Sequence, residues 1–136
     1  TAGVPQGAIV AEHMNLPFNY VRSSHKGHGL ENLIEGKTLK GKRVVVLEDL
    51  VSTGSSSLNA VAALREAGYK IAGMVAIFTY GFTAADERFE KERTPLVCLS
   101  NYAALLEEAL KKKYIKEDQL ILLKSWRTDP AGWKGK

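Results

Sequence analysis

Apolar residues gather in short runs at Ala8–Ala11, Val44–Leu47, Ile71–Phe78 and Leu96–Leu99, and between them the apolar positions recur at helical spacing or vanish. Gln6 to Met14 predicts a short helix, stopped by Leu16 and Pro17. Phe18 to Arg22 alternates well enough to predict a strand. Val44 to Leu47 is unbroken and rich in β-branched residues, as expected of a parallel strand buried on both faces, although periodicity alone leaves a buried helical turn open. Ser55 to Gly68 places Leu58, Val61, Ala62 and Leu64 among alanines, with Gly68 positioned to end a crossover helix. Lys70 to Thr79 predicts a second buried strand, completing a βαβ unit whose crossover should be right-handed. A charged helix over Ala84 to Glu92, a strand over Leu96 to Leu99 and two helices follow. The first of these, Asn101 to Lys113, is expected to be capped by Ser100 and to end on Lys111, Lys112 and Lys113; the second spans Lys116 to Trp126 before an irregular tail. The alternation predicts an α/β fold with a central, mostly parallel sheet of four or so strands flanked by helices.

Between the first two long runs lies Ser23 to Lys42, too polar and glycine-rich for a core element and long enough to suggest a functional loop. Arg22, Lys26 and His28 give it cationic character, and Gly27 and Gly29 permit large backbone excursions, so it reads as a mobile lid. Leu30, Leu33 and Ile34 suit a short hairpin docking on the body. A solvated surface loop is the plain alternative. His25-x-x-His28 has metal-ligand types at short spacing, but no helix fixes that spacing and no carboxylate or cysteine stands near it.

The densest chemistry falls at Arg43-Val-Val-Val-Leu-Glu-Asp-Leu-Val-Ser-Thr-Gly-Ser-Ser-Ser57. Glu48 and Asp49 are expected where the strand leaves the sheet, ahead of a turn of small residues and a helix starting near Ser55. Unsatisfied N–H groups and the positive dipole end at that helix start suit a phosphate dianion. Carboxylates beside it accept hydrogen bonds from vicinal hydroxyls or hold Mg²⁺ directly or through water. A ribose 5-phosphate meets both requirements. The bland reading is an acid pair at a strand end and an N-cap serine on an ordinary loop. Neither Gly-x-x-x-x-Gly-Lys-Ser/Thr nor Gly-x-Gly-x-x-Gly occurs, so P-loop and dinucleotide readings have no support.

Composition bounds rather than decides. The chain has 136 residues, 45% hydrophobic and 25% charged, which suits a single domain over residues 1–136. No apolar run reaches membrane-span length and no leader opens the chain, so a cytoplasmic protein without membrane association is expected. The single cysteine, Cys98, sits among Leu96, Val97 and Leu99 and reads as a buried strand residue. A net charge of +4 suits an anionic ligand or weak nucleic-acid binding alike. Tyr80 and Phe82, at a strand's C-terminal end, suit packing or base stacking.

Val45-Val-Leu-Glu-Asp-Leu-Val-Ser-Thr-Gly-Ser-Ser56 resembles the phosphoribosyl pyrophosphate (PRPP) signature of type I phosphoribosyltransferases. Tyr20-Val-Arg-Ser-Ser-His-Lys-Gly-His-Gly29 resembles the catalytic loop of the orotate phosphoribosyltransferases, with Arg22, Lys26, His28 and Gly29 matching its frame and Ser23 departing from a basic residue seen in some members. The resemblance implies a type I phosphoribosyltransferase core with a flexible catalytic loop. It implies transfer of the phosphoribosyl group of PRPP to orotate, giving orotidine 5′-monophosphate and pyrophosphate in de novo pyrimidine biosynthesis. By the same resemblance Arg22, Lys26 and His28 contact pyrophosphate; Glu48 and Asp49 hold the ribose hydroxyls; and Leu50, Val51, Ser52, Thr53, Gly54, Ser55 and Ser56 hold the 5′-phosphate, Ser52 also approaching orotate. Mg²⁺ is the implied cofactor, carried by PRPP and not ligated directly by the protein. A homodimer sharing the lid across its interface is implied, with no nucleic-acid partner. Family members carry an N-terminal hood over orotate, which has no counterpart before Thr1. An arginine that many members carry near the start of the crossover helix has none either, since Leu58 and its neighbours offer no arginine. The alternatives are a purine or other base phosphoribosyltransferase, or a PRPP-sensing regulator without turnover.

Overall fold

The computed structural model describes residues 3–22, 33–37 and 39–134. In chain order the elements are α1 (Val4–His13), β1 (Tyr20–Val21), β2 (Ile34–Glu35), β3 (Arg43–Val51), α2 (Ser55–Glu66), β4 (Lys70–Thr79), α3 (Thr83–Lys91), β5 (Leu96–Asn101), α4 (Tyr102–Lys111) and α5 (Glu117–Thr128). β3, β4 and β5 form a parallel three-stranded sheet in that order, joined by α2 and α3. The expected four or so strands are therefore three among the described residues. The strand expected over Phe18 to Arg22 shrinks to Tyr20–Val21 and pairs antiparallel with Ile34–Glu35 in a separate small sheet. Pro17 cannot donate to a ladder, and Asn19 turns its amide to the carbonyls of Glu35 and Lys37, so only the end of that segment pairs.

The core lies on one face of the sheet. Val61 from α2 and Ala85 and Phe89 from α3 close over Val51, Met74 and Ala76, with Val46, Leu96 and Cys98 at the margin. Met74, Val51 and Val61 are the largest fully buried side chains, each stabilising the fold by about 1.5–3 kcal/mol. Cys98 is thus a half-buried strand residue at the core's margin, and burial raises its thiol pKa, with Asp86 adding to the effect.

The opposite face is only partly covered. Val45 is 55% exposed and Leu99 73%, with Ile77 and Val97 also open, so β3 is not buried on both faces as its unbroken apolar run suggested. α1 packs along β3, and an apolar groove of about 610 Å³ follows the strand's outer edge between α1, β1 and β3, lined by Val10, Leu16, Phe18, Val21 and Val44 among others. Among the described residues that edge of β3 has no pairing strand. At the far end, Asn101 accepts from Ala104 N and caps α4 in place of the expected Ser100, which instead pairs with Phe78 in the β4–β5 ladder.

Candidate active site

β3 carries the acids further into the sheet than expected. Glu48 pairs with Ala76 and the ladder continues to Val51 opposite Thr79, so Glu48 and Asp49 lie within the strand and not beyond it. Being consecutive in a strand, they point to opposite faces. Glu48 shares the core side with Val46, beneath the buried Ser57 of α2. Burial raises the pKa of its carboxyl and neighbouring Asp49 raises it further, while a hydrogen bond with the Ser57 side chain works the other way. The chain entering α1 passes close to the backbone of this stretch. A Cβ on Gly3 would stand 3.1 Å from the Leu47 carbonyl oxygen and 3.5 Å from Asp49 N.

Ser52, Thr53 and Gly54 make the turn from β3 to α2, and Gly54 is the N-cap with φ of 77°. Glycine is required there twice over, by the left-handed backbone and by Phe89, whose ring edge would lie 2.8 Å from an added Cβ. No side chain caps α2, and none caps α1 at Gly3. Two helix starts with uncapped N–H groups therefore flank the stretch bearing Glu48 and Asp49, an arrangement suited to a ligand anionic at both ends and hydroxylated between. α3 braces the turn: Arg88 Nη1 donates to the Thr53 carbonyl oxygen at 2.9 Å and to Ser55 Oγ at 2.5 Å. With Ser55 Oγ accepting from Arg88, its own proton is left for another acceptor; Thr53 Oγ1 stands 3.4 Å away.

The remaining expected site residues separate. Leu50 and Val51 belong to the strand, Ser55 and Ser56 to the first turn of α2. Arg22 sits at the root of the polar loop, with Nη1 2.9 Å from Glu35 Oε1, so β2 holds its guanidinium. Lys26, His28, the His25-x-x-His28 pair and Leu30 lie outside the described residues. Tyr80 and Phe82 stack on each other at 5.4 Å and meet Trp126 of α5 edge-on, which accounts for much of their surface by packing. Arg88 and the Gly3 loop were not anticipated. Arg88 stands in the sequence only as one charge in a charged helix, and Gly3 lies outside the helix expected from Gln6.

Comparison with known proteins agrees with this geometry. Residues 1–113 match the model of the phosphoribosyl transferase domain. An orotate phosphoribosyltransferase of Cytophaga hutchinsonii is 55% identical over 134 residues, which cover 98% of this chain and 64% of the relative. The chain thus spans a little under two thirds of that protein's length. Among solved structures, the UMP synthase of Leishmania donovani aligns with a TM-score of 0.81 at 26% identity over 94% of this chain and 27% of its own. The orotate phosphoribosyltransferase of Aeropyrum pernix aligns with a TM-score of 0.71 at 32% identity over 79% of this chain and 60% of its own. On the sheet, the uncapped turn and the matched domain, the chain belongs to the phosphoribosyltransferase family.

Proposed function

We propose that this protein is an orotate phosphoribosyltransferase. The observation that carries this reading is the β3–turn–α2 unit, where two acids precede an uncapped helix start held in shape by Arg88. The relatives named orotate phosphoribosyltransferase support the choice of base, as does the Arg-x-x-x-Lys-x-His-Gly frame from Arg22 to Gly29. In the reaction, N1 of orotate bonds to C1 of the ribose as the C1–oxygen bond breaks. Pyrophosphate leaves with the bonding pair, and the N1 proton is lost to solvent.

Each group on the chain has a task in that step. Backbone N–H groups and hydroxyls from Leu50 to Ser56 hold the 5′-phosphate, and Ser52 approaches the base. Asp49 accepts hydrogen bonds from the ribose hydroxyls, and Glu48, turned to the other face beneath Ser57, adds negative charge that favours positive charge at the anomeric carbon. Arg22, Lys26 and His28 attract the departing pyrophosphate, for which Arg22 must exchange its bond to Glu35. Because Glu48 and Asp49 diverge, they do not form a two-carboxylate cage; they fit Mg²⁺ carried by PRPP, reached by one carboxylate through water. Bound in that way, the ion would neutralise charge on pyrophosphate. The same reading takes the enzyme to be a homodimer that shares its lid across the interface, cytoplasmic and acting in pyrimidine synthesis. No described helix is long and apolar enough to cross a membrane.

The test is Mg²⁺-dependent pyrophosphate release from PRPP by the full-length protein with orotate, adenine or no base. Release with orotate alone supports the proposal. Release with adenine alone would move the protein to the purine enzymes, and PRPP binding without release on any base would make it a sensor.

A further inference from the structure

A second arginine stands at the rim of the same site. α5 ends at Thr128, and just before its end Arg127 reaches back to the loop that follows β4. Its Nε donates to the Tyr80 carbonyl oxygen at 2.8 Å and its Nη2 to the Gly81 carbonyl oxygen at 2.6 Å. Gly81 allows this approach: its φ is +66°, and a Cβ there would come within 2.9 Å of Nη2. Trp126, one residue earlier, is wedged into the aromatic cluster with Tyr80, Phe82 and Tyr102, which fixes where α5 presents the guanidinium.

The position of that loop matters. Tyr80 N bonds the Val51 carbonyl oxygen at 3.3 Å, so residues 80–82 leave the sheet directly beside the turn at Ser52. Ligands of open parallel sheets bind beyond the strands' C-terminal ends, which is where Arg127 lies. Its charge is not neutralised by its neighbours. Among the described residues no carboxylate lies within ion-pair distance of it, and Asp129, two residues on, accepts instead from Gly132 N at 3.0 Å. Both hydrogens on Nη1 and the second on Nη2 have no acceptor among the described residues, which leaves the end-on edge of the guanidinium open. That edge matches the two oxygens of a carboxylate.

Building on the proposed reaction, we propose that Arg127 takes the carboxylate of the acceptor base, making α5 the element that distinguishes an acidic pyrimidine from a neutral one. The two carbonyls then aim the guanidinium and the Tyr80–Phe82 stack supports the loop that carries them. A purely structural clasp would show the same two hydrogen bonds, so the test must read selectivity.

Orotidine 5′-monophosphate and uridine 5′-monophosphate differ only in the carboxylate. Their dissociation constants are measured by calorimetry on the full-length protein, wild type and Arg127→Gln, with folding checked by thermal melting. A charge-assisted pair should give the wild type a preference of about 10- to 100-fold for orotidine monophosphate, and Arg127→Gln should bring the ratio close to one. Arg127→Lys should keep part of the preference, and Gly81→Ala, which displaces the guanidinium without removing it, should reduce it. An equal loss of both affinities with the ratio intact would overturn the inference and leave Arg127 a clasp. So would a wild type that turns over orotate yet binds both nucleotides alike. A wild type that neither turns over orotate nor binds either nucleotide would instead overturn the proposed reaction, and this inference with it.

Discussion

Replacing Gly54 by alanine perturbs backbone, core and ligand site through one methyl group. With φ at 77°, the alanine would sit in the left-handed region, at a cost of about 1–2 kcal/mol. Its Cβ would also meet Phe89 Cε2 at 2.8 Å and Cδ2 at 3.3 Å, and Phe89 is only 3% exposed and packed into the core. Forcing that ring aside adds about 1–3 kcal/mol. The expected loss is therefore about 2–5 kcal/mol, a large share of the roughly 5–15 kcal/mol that holds a domain together. Urea unfolding should show the midpoint falling by about 1–2.5 M for an m-value of ~2 kcal/mol/M. Phe89→Leu, which removes the ring edge, should make the alanine more tolerable, giving a coupling of about 1–3 kcal/mol in a double-mutant cycle. Calorimetry should show weaker PRPP binding by Gly54→Ala, because the first turn of α2 moves with the cap. A coupling under about 0.5 kcal/mol would refute the contact with Phe89, and unaltered PRPP affinity would refute the assignment of this turn to the phosphate.

Four further substitutions extend the tests. Because the folded state raises the Glu48 pKa, that state holds the proton more tightly than the unfolded chain, so ionising Glu48 costs stability as pH rises from the ordinary glutamate range through the raised value. Glu48→Gln should melt higher than wild type at neutral pH, with the advantage disappearing in acid, whereas Asp49→Asn should chiefly weaken PRPP binding; parallel melting curves at both pH values would contradict the Glu48 account. Arg88→Met should raise the PRPP dissociation constant about 3- to 10-fold by loosening the turn at Thr53 and Ser55, and an equal affinity in titration calorimetry would remove Arg88 from that role. Lys26→Ala should lower kcat by about 100-fold while KM for PRPP changes far less, since a lid cation meets charge that develops on the leaving group; steady-state kinetics with unchanged kcat would exclude it.

What the sequence conveys depends on whether the signal is local. β4 was legible residue for residue, because its apolar run is bracketed by Gly68 and by Tyr80-Gly81. The end of β3 was not, because Glu48 and Asp49 look like loop residues although backbone pairing to β4 is indifferent to side-chain polarity. Asn101 ends a strand and caps a helix at once, and no local pattern distinguishes it from Ser100 in that task. The acids and the small-residue turn were recognisable from their order alone. Arg88 and Arg127 were not, since they arrive from α3 and α5, far along the chain from the backbone they grip. The cover over the second sheet face was also illegible, for an unbroken apolar run does not say what lies against it.

The outer edge of β3 has a consequence for handling the 136 residues by themselves. Along Arg43 to Val51 alternate residues turn their main-chain donors and acceptors away from β4, beside an apolar groove. Charges stand at Lys42 and Arg43 and again at Glu48 and Asp49, while Val44 to Leu47 between them carries none. Two such chains meeting edge to edge would extend each other's sheets, and self-association growing with concentration is the expected behaviour in light scattering. A lysine in place of Val45, more than half exposed on the open face, is the substitution that should suppress it.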